Sequence, residues 1–187
     1  MNKSILILIL VVLIKAGYVM SDETSKNPSE VEKGKALVIE YGCNACYTPK
    51  IETVVGLIPD PDRLLSGHSA GDGDLQNIPE GLLGEKSWAG MYSKSLTAWA
   101  GPWGVSFTAN LTPDKETGIG SWSKQNFIST IRLGIHTSSL ARELAPAMPW
   151  KHISTMNDEQ LGAIYSYLMS LKPIKNKVPE HIDPKKK

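Results

Sequence analysis

Cysteine is nearly absent from this chain of 187 residues: Cys43 and Cys46 are the only two, which rules out a scattered disulfide framework. Histidine is scarce as well. His68, His136, His152 and His181 fall at no regular metal-binding spacing, whereas a structural zinc site needs four Cys or His ligands. No excess of one charge is present, since 20 Lys and Arg stand against 19 Asp and Glu for a formal net charge of +1. That balance gives no argument for nucleic acid or for a strongly acidic partner. The apolar run from Ile5 to Ile14 is too short to span a bilayer comfortably before Lys15 interrupts it. No internal repeat is evident.

What the amino terminus does carry is an export signal. Met1-Asn2-Lys3-Ser4 followed by the apolar run has the charge and length of a secretory signal peptide. Val19 and Ser21 are small enough for the −3 and −1 positions, so residues 1–21 read as the signal, with cleavage near Ser21 or Asp22. The other reading is an uncleaved membrane anchor, with Ala16 to Met20 extending the run and Lys15 snorkelling. Either way the folded part is exported, to a bacterial periplasm. Residues 22–187, about 165 in number, suffice for one domain with a real core. A long irregular insertion rich in Gly, Pro and Trp occupies about 59–104, and Val178 to Lys187 reads as a mobile polar tail.

Three helices are expected. Ser29 caps one that starts near Glu30 and runs toward Gly42, with Gly34, Leu37 or Val38, and Tyr41 on one face. A second begins after Ser123, turns Phe127, Ile128 and Ile131 inward and ends at Gly134. Asn157 and Gln160 form a capping box for a third, whose stripe is Leu161, Ile164, Tyr165 and Leu168 and which Pro173 stops. The segments between them read as ordered loops holding Trp88, Trp99, Trp103 and Trp150. Asp60, Asp62, Asp72 and Asp74 in those loops read as solvated surface.

Both cysteines lie in Cys43-Asn44-Ala45-Cys46-Tyr47, one residue away from the Cys-x-x-Cys-His signal for covalent haem attachment. Two cysteines so spaced at the end of a helix can each form a thioether to a haem vinyl group, and the next side chain then reaches the iron. Here that side chain is a phenol where an imidazole is expected. A local Cys43–Cys46 disulfide or dithiol is the plainer alternative. A thioredoxin-like site, however, wants the motif at a strand-to-helix junction, and the residues ahead of Cys43 read as helix.

Further segments follow in a telling order: Gly34-Lys35-Ala36-Leu37, Tyr41 to Cys46, Ser66-Gly67-His68 and Gly101-Pro102-Trp103-Gly104. After them come Ala109 to Asp114, Gly118 to Trp122, Pro146-Ala147-Met148-Pro149-Trp150 and Asp158 to Leu168. With them the chain resembles the class I cytochrome c family, and more closely a bacterial periplasmic branch of it, over nearly all of its exported part. The resemblance implies an all-α, cytochrome c-like helical domain around one covalent haem c, with Cys43 and Cys46 as thioether donors. Met148 matches the family's distal methionine ligand. A thioether is a soft ligand that favours ferrous iron and raises the potential, and flanking prolines would stiffen its loop. Core filling is the alternative role for a methionine.

Tyr47 stands at the family's proximal histidine position, and three outcomes are open. It ligates iron as a phenolate, it leaves the position vacant or water-bound, or it impairs haem attachment. His68 and His136 are candidate substitute ligands, though a loop hydrogen-bonding role is the better expectation for both. His152 reads as a surface or loop residue, and His181 belongs to the polar tail. The resemblance implies an electron carrier and not an enzyme, whose partners are a periplasmic dehydrogenase or a terminal acceptor. It involves no nucleic acid, and a membrane only if the amino-terminal segment stays uncleaved. A haem enzyme or small-ligand sensor, and a haem-free cytochrome-like subunit, are the competing readings.

Overall fold

The computed structural model of the chain describes residues 28–71, 90–136, 143–145 and 147–184. The expected signal peptide, Asp72, Asp74, Trp88, Pro146 and the three terminal lysines lie outside the described residues. In chain order the elements begin with α1 (Glu30–Glu40) and α2 (Cys43–Tyr47), followed by a hairpin of β1 (Lys50–Thr53) and β2 (Gly56–Pro59). Next come β3 (Met91–Tyr92), β4 (Ala98–Gly101) and β5 (Gly104–Phe107), which form a three-stranded antiparallel sheet in that order. The chain continues through α3 (Lys124–Leu133), α4 (Trp150–Ile153) and α5 (Asp158–Ser170).

The helix ends form where their sequences direct them. The Ser29 hydroxyl accepts from the Glu32 amide while the Glu32 carboxylate accepts from the Ser29 amide, and Asn157 and Gln160 repeat this reciprocal cap on α5. Ser123 caps α3, which ends at Gly134 in the left-handed conformation. Gly34 brings α1 against α5 so closely that a larger residue would overlap the Ala163 carbonyl. Val38, Leu161, Ile164 and Leu168 from these two helices join Phe127, Ile128 and Ile131 of α3 in one buried cluster. On α5 it is Tyr167, not Tyr165, that is buried; Tyr165 is half-buried and its hydroxyl donates to the Trp122 carbonyl at 2.6 Å.

The all-α expectation is corrected by the sheets. Helices account for about 35% and strands for about 16% of the described residues. The strands lie within what read as loops. Pro102-Trp103 is a two-residue corner between β4 and β5, with Trp99 paired to Ser106 and Ala100 to Val105. Trp, Val and Phe are strand-forming residues, but runs of four are too short to show a period above the surrounding glycines. The β1–β2 hairpin projects into solvent, with Val54 and Val55 exposed at its tip.

The polar tail is corrected as well. Ile182 exchanges two backbone hydrogen bonds with Val105, of 2.8 and 3.0 Å, and so covers the outer edge of β5. Upstream, the Asn176 amide donates to the Ser66 and His68 carbonyls at 2.8 and 2.7 Å and accepts from the Ala70 amide at 3.1 Å. Residues 172–184 are therefore a strap, held by the backbone groups of Ile174, Asn176 and Ile182, by the Asn176 and His181 side chains and by a Lys175–Glu116 ion pair.

Asp60 is not solvated surface. It is buried and accepts from Arg63 Nε at 2.6 Å, and the bound guanidinium holds its carboxyl below the usual carboxylate range. Arg63 also donates to Ser69, so this pair ties the base of the hairpin to the next loop. Among the described residues no helix is long and apolar enough to cross a membrane.

Candidate functional site

The site is built around α2. Gly42, left-handed at φ 65° with open space beside it, turns the chain out of α1 and starts the short helix on which both cysteines ride. Three anchors hold that helix. Lys50 Nζ donates to the Ala45 and Thr48 carbonyls at 2.8 and 2.5 Å, closing the helix's carboxyl end where a cation is favoured. The buried Thr48 hydroxyl accepts from the Leu65 amide at 3.0 Å, and the Gly67 amide donates to the Tyr47 carbonyl at 2.8 Å.

Cys43, Cys46 and Tyr47 face an open cavity between the cysteine helix, the Met148 segment and the sheet. Met148, His136, Leu144 and Pro149 line it from the segment between α3 and α4, and Trp99, Ser106, Phe107 and Thr108 line it from the sheet. The wall is mostly apolar and aromatic. The Met148 loop is fixed locally by bonds from its amide to the Ala145 carbonyl and from the Trp150 amide to its own carbonyl, of 2.9 and 2.8 Å.

Burial sets the protonation states. It raises the Cys43 thiol, and it raises the Cys46 thiol against an opposing pull from Lys50. Reactive dithiols work through lowered thiol pKa values, so this pair is poorly suited to disulfide exchange. Both cysteines are free thiols, and a helix instead of a strand precedes them. Tyr47 lines the cavity, and burial, reinforced by the two thiols, pushes its phenol far above the ordinary tyrosine range. The phenol is neutral at physiological pH.

The histidines separate cleanly. His68 is fully buried, shares a 2.9 Å hydrogen bond between Nδ1 and Thr97 Oγ1, packs on Phe107 and does not line the cavity. His136 does line it and meets the Trp122 ring edge-on at 6.4 Å. His152 is exposed, with its ring 5.5 Å from that of Tyr41. His181 shares a 3.1 Å hydrogen bond with Ser106 Oγ. Sequence reasoning missed Ser106 as a cavity residue beside Trp99. The two are cross-strand partners, and no signal short of recognising the β4–β5 hairpin would have placed them together.

Among the described residues no group of three or more His, Cys, Asp or Glu could hold a metal ion unaided. What the cavity offers instead is two thiols on one turn of helix, a thioether, a phenol and apolar walls. That donor set fits a flat, largely apolar macrocycle that brings its own iron and is fixed by two thioether bonds.

Similarity to known proteins agrees with the geometry. No protein-family model matches the chain. It is 39% identical over 70 residues to the gluconate 2-dehydrogenase cytochrome c subunit of Pantoea cypripedii, covering 37% of this chain and 15% of that one. With the cytochrome c subunit of the quinone alcohol dehydrogenase of Gluconacetobacter polyoxogenes it shares 32% over 134 residues, 70% of this chain and 27% of that one. The chain is similar to cytochrome c subunits of dehydrogenases. A stretch of 78 residues is also 42% identical to a nicotinate dehydrogenase subunit of Pseudomonas putida, covering 42% of this chain and 6% of that protein. The chain thus spans between 6% and 27% of the length of these relatives.

Proposed function

We propose that this protein is an exported, periplasmic c-type cytochrome that passes single electrons from a dehydrogenase to a respiratory acceptor. Residues 22–187 form its one domain, following a signal at 1–21. Cys43 and Cys46 hold one haem through thioether bonds, Met148 is its distal ligand and Tyr47 occupies the proximal position. The observation that carries this reading is that Cys43, Cys46, Tyr47 and Met148, drawn from two distant parts of the sequence, line one apolar cavity. The similarity to dehydrogenase cytochrome subunits supports the choice of partner. The haem supplies one-electron chemistry; the chain's residues position it, exclude water and set its potential. Pyridine haemochrome analysis of the exported protein tests the reading: a c-type spectrum at one haem per chain supports it, and a haem-free protein from a host competent in cytochrome maturation refutes it.

A second reading follows from the neutral Tyr47 phenol. A group that must lose a proton from a buried position to bind ferric iron is a poor ligand for ferrous iron. This favours an iron with one open position in the reduced state, able to take carbon monoxide or nitric oxide. Rapid carbon monoxide binding by the reduced protein supports this reading over a carrier with two tight ligands, and slow or absent binding removes it.

A further inference from the structure

The strap places an imidazole within hydrogen-bond distance of a residue that lines the cavity. Ser106, 4% exposed, is a cavity residue of β5. His181 Nδ1 lies 3.1 Å from its hydroxyl, while His181 Nε2 lies 3.5 Å from Asp183 Oδ1. The imidazole is 18% exposed, the Asp183 carboxylate 93%. One ring nitrogen is thus bonded to the hydroxyl of a cavity residue, and the other lies beside a solvated carboxylate. Holding the strap does not require this side chain, because Ile182 and Asn176 supply backbone and amide bonds on either side of it.

We infer that His181, acting through Ser106, is a redox-linked proton site; the inference rests on the haem proposed above. An imidazole changes charge between pH 5 and 8. A positive imidazolium one hydroxyl away from the cavity favours the iron state with one positive charge fewer. By reciprocity the reduced protein holds the imidazole proton more tightly than the oxidised one. When an electron arrives from the donor protein, a fraction of the molecules takes up a proton from water on the ring nitrogen. When the electron leaves for the acceptor, the proton returns to water. His136 also lines the cavity, so the His181→Asn variant is needed to separate the two imidazoles. β4 and β5 carry no titratable side chain, Tyr92 of β3 is exposed beyond Trp99, and Glu180 and Asp183 on the strap itself are exposed.

The test uses the full-length exported protein. Haem content is measured first, then the midpoint potential is titrated between pH 5 and pH 9 for wild type, His181→Asn and Ser106→Ala. Asn keeps a polar atom near Nδ1 without titrating, so the melting temperature and haem content should stay at wild-type values. The expected wild-type potential falls as pH rises through the imidazole range. A three- to tenfold ratio of proton affinities between the two redox states corresponds to a fall of about 30 to 59 mV. His181→Asn should be flat over that range, and Ser106→Ala should show a smaller fall. A haem-loaded wild type with a flat profile, or a His181→Asn profile that overlays the wild type, overturns the inference alone. Absence of haem in the wild type overturns it together with the cytochrome reading.

Discussion

Gly34 in α1 meets the carbonyl of Ala163 in α5 with no room for a side chain between them. The crossing it permits fixes the end of α1, and so where Gly42 releases the cysteine helix. Gly34→Ala should therefore destabilise the protein by about 1–3 kcal/mol through overpacking, read as a lower midpoint in urea unfolding, with Gly34→Val worse. Gly162, one residue from Ala163, is the control. A Cβ there meets only the ends of flexible side chains, Lys124 at 3.4 Å and Glu30 Oε1 at 3.6 Å, so Gly162→Ala should be neutral or stabilising by up to about 1 kcal/mol.

The parts of this fold that could be read in the sequence are those whose signals are local. Ser29 with Glu32, Asn157 with Gln160, and Ser123 with Gly134 each announce a helix end within a few residues, and all three helices form there. Cys43, Cys46 and Met148 were legible through motif and resemblance, and the cavity brings them together. The sheets were not legible, because β4 and β5 are four residues each and depend on pairing with one another. The strap was missed because Lys-rich composition says nothing about the backbone bonds of Ile182 or the reach of the Asn176 amide to the Ser66 and His68 carbonyls. Asp60 was misread because its burial depends on Arg63 folding back onto it and reaching Ser69, which composition does not reveal.

The Tyr47 phenol, on a partly buried side chain, makes stability depend on alkaline pH in the haem-free form. Its ionisation is raised by burial first and by the two thiols second, whereas an unfolded tyrosine releases its proton near about pH 10. Above that pH the unfolded chain has lost a proton that the folded chain keeps, so stability is intact below about pH 10 and falls as pH rises further. Tyr47→Phe should flatten that fall in unfolding experiments. An unchanged alkaline profile would mean that other tyrosines cause it.

At the proposed proximal position, Tyr47→His should raise both haem yield per chain and midpoint potential. Imidazole serves ferric and ferrous iron alike, whereas a phenolate favours the ferric state. Equal yields and equal potentials in the two proteins would remove Tyr47 from the iron and leave His136, the cavity's histidine, as the substitute.

If Met148 is the distal ligand proposed above, Met148→Ala should lower the potential and abolish a sulfur-to-iron charge-transfer band, because a soft thioether that stabilises ferrous iron would be gone. Met148 also packs against the core cluster, so stability should fall by about 2–5 kcal/mol if the cavity left behind does not collapse. A loss of stability with an unaltered spectrum and potential would assign Met148 to packing alone.

The most direct measurement of the whole account is the mass of the denatured, exported chain. One haem joined by two thioethers at Cys43 and Cys46 predicts a single haem-sized addition that survives unfolding and disappears in the Cys43→Ala/Cys46→Ala double variant. An unmodified mass for the wild type, made in a host that matures other c-type cytochromes, would contradict it.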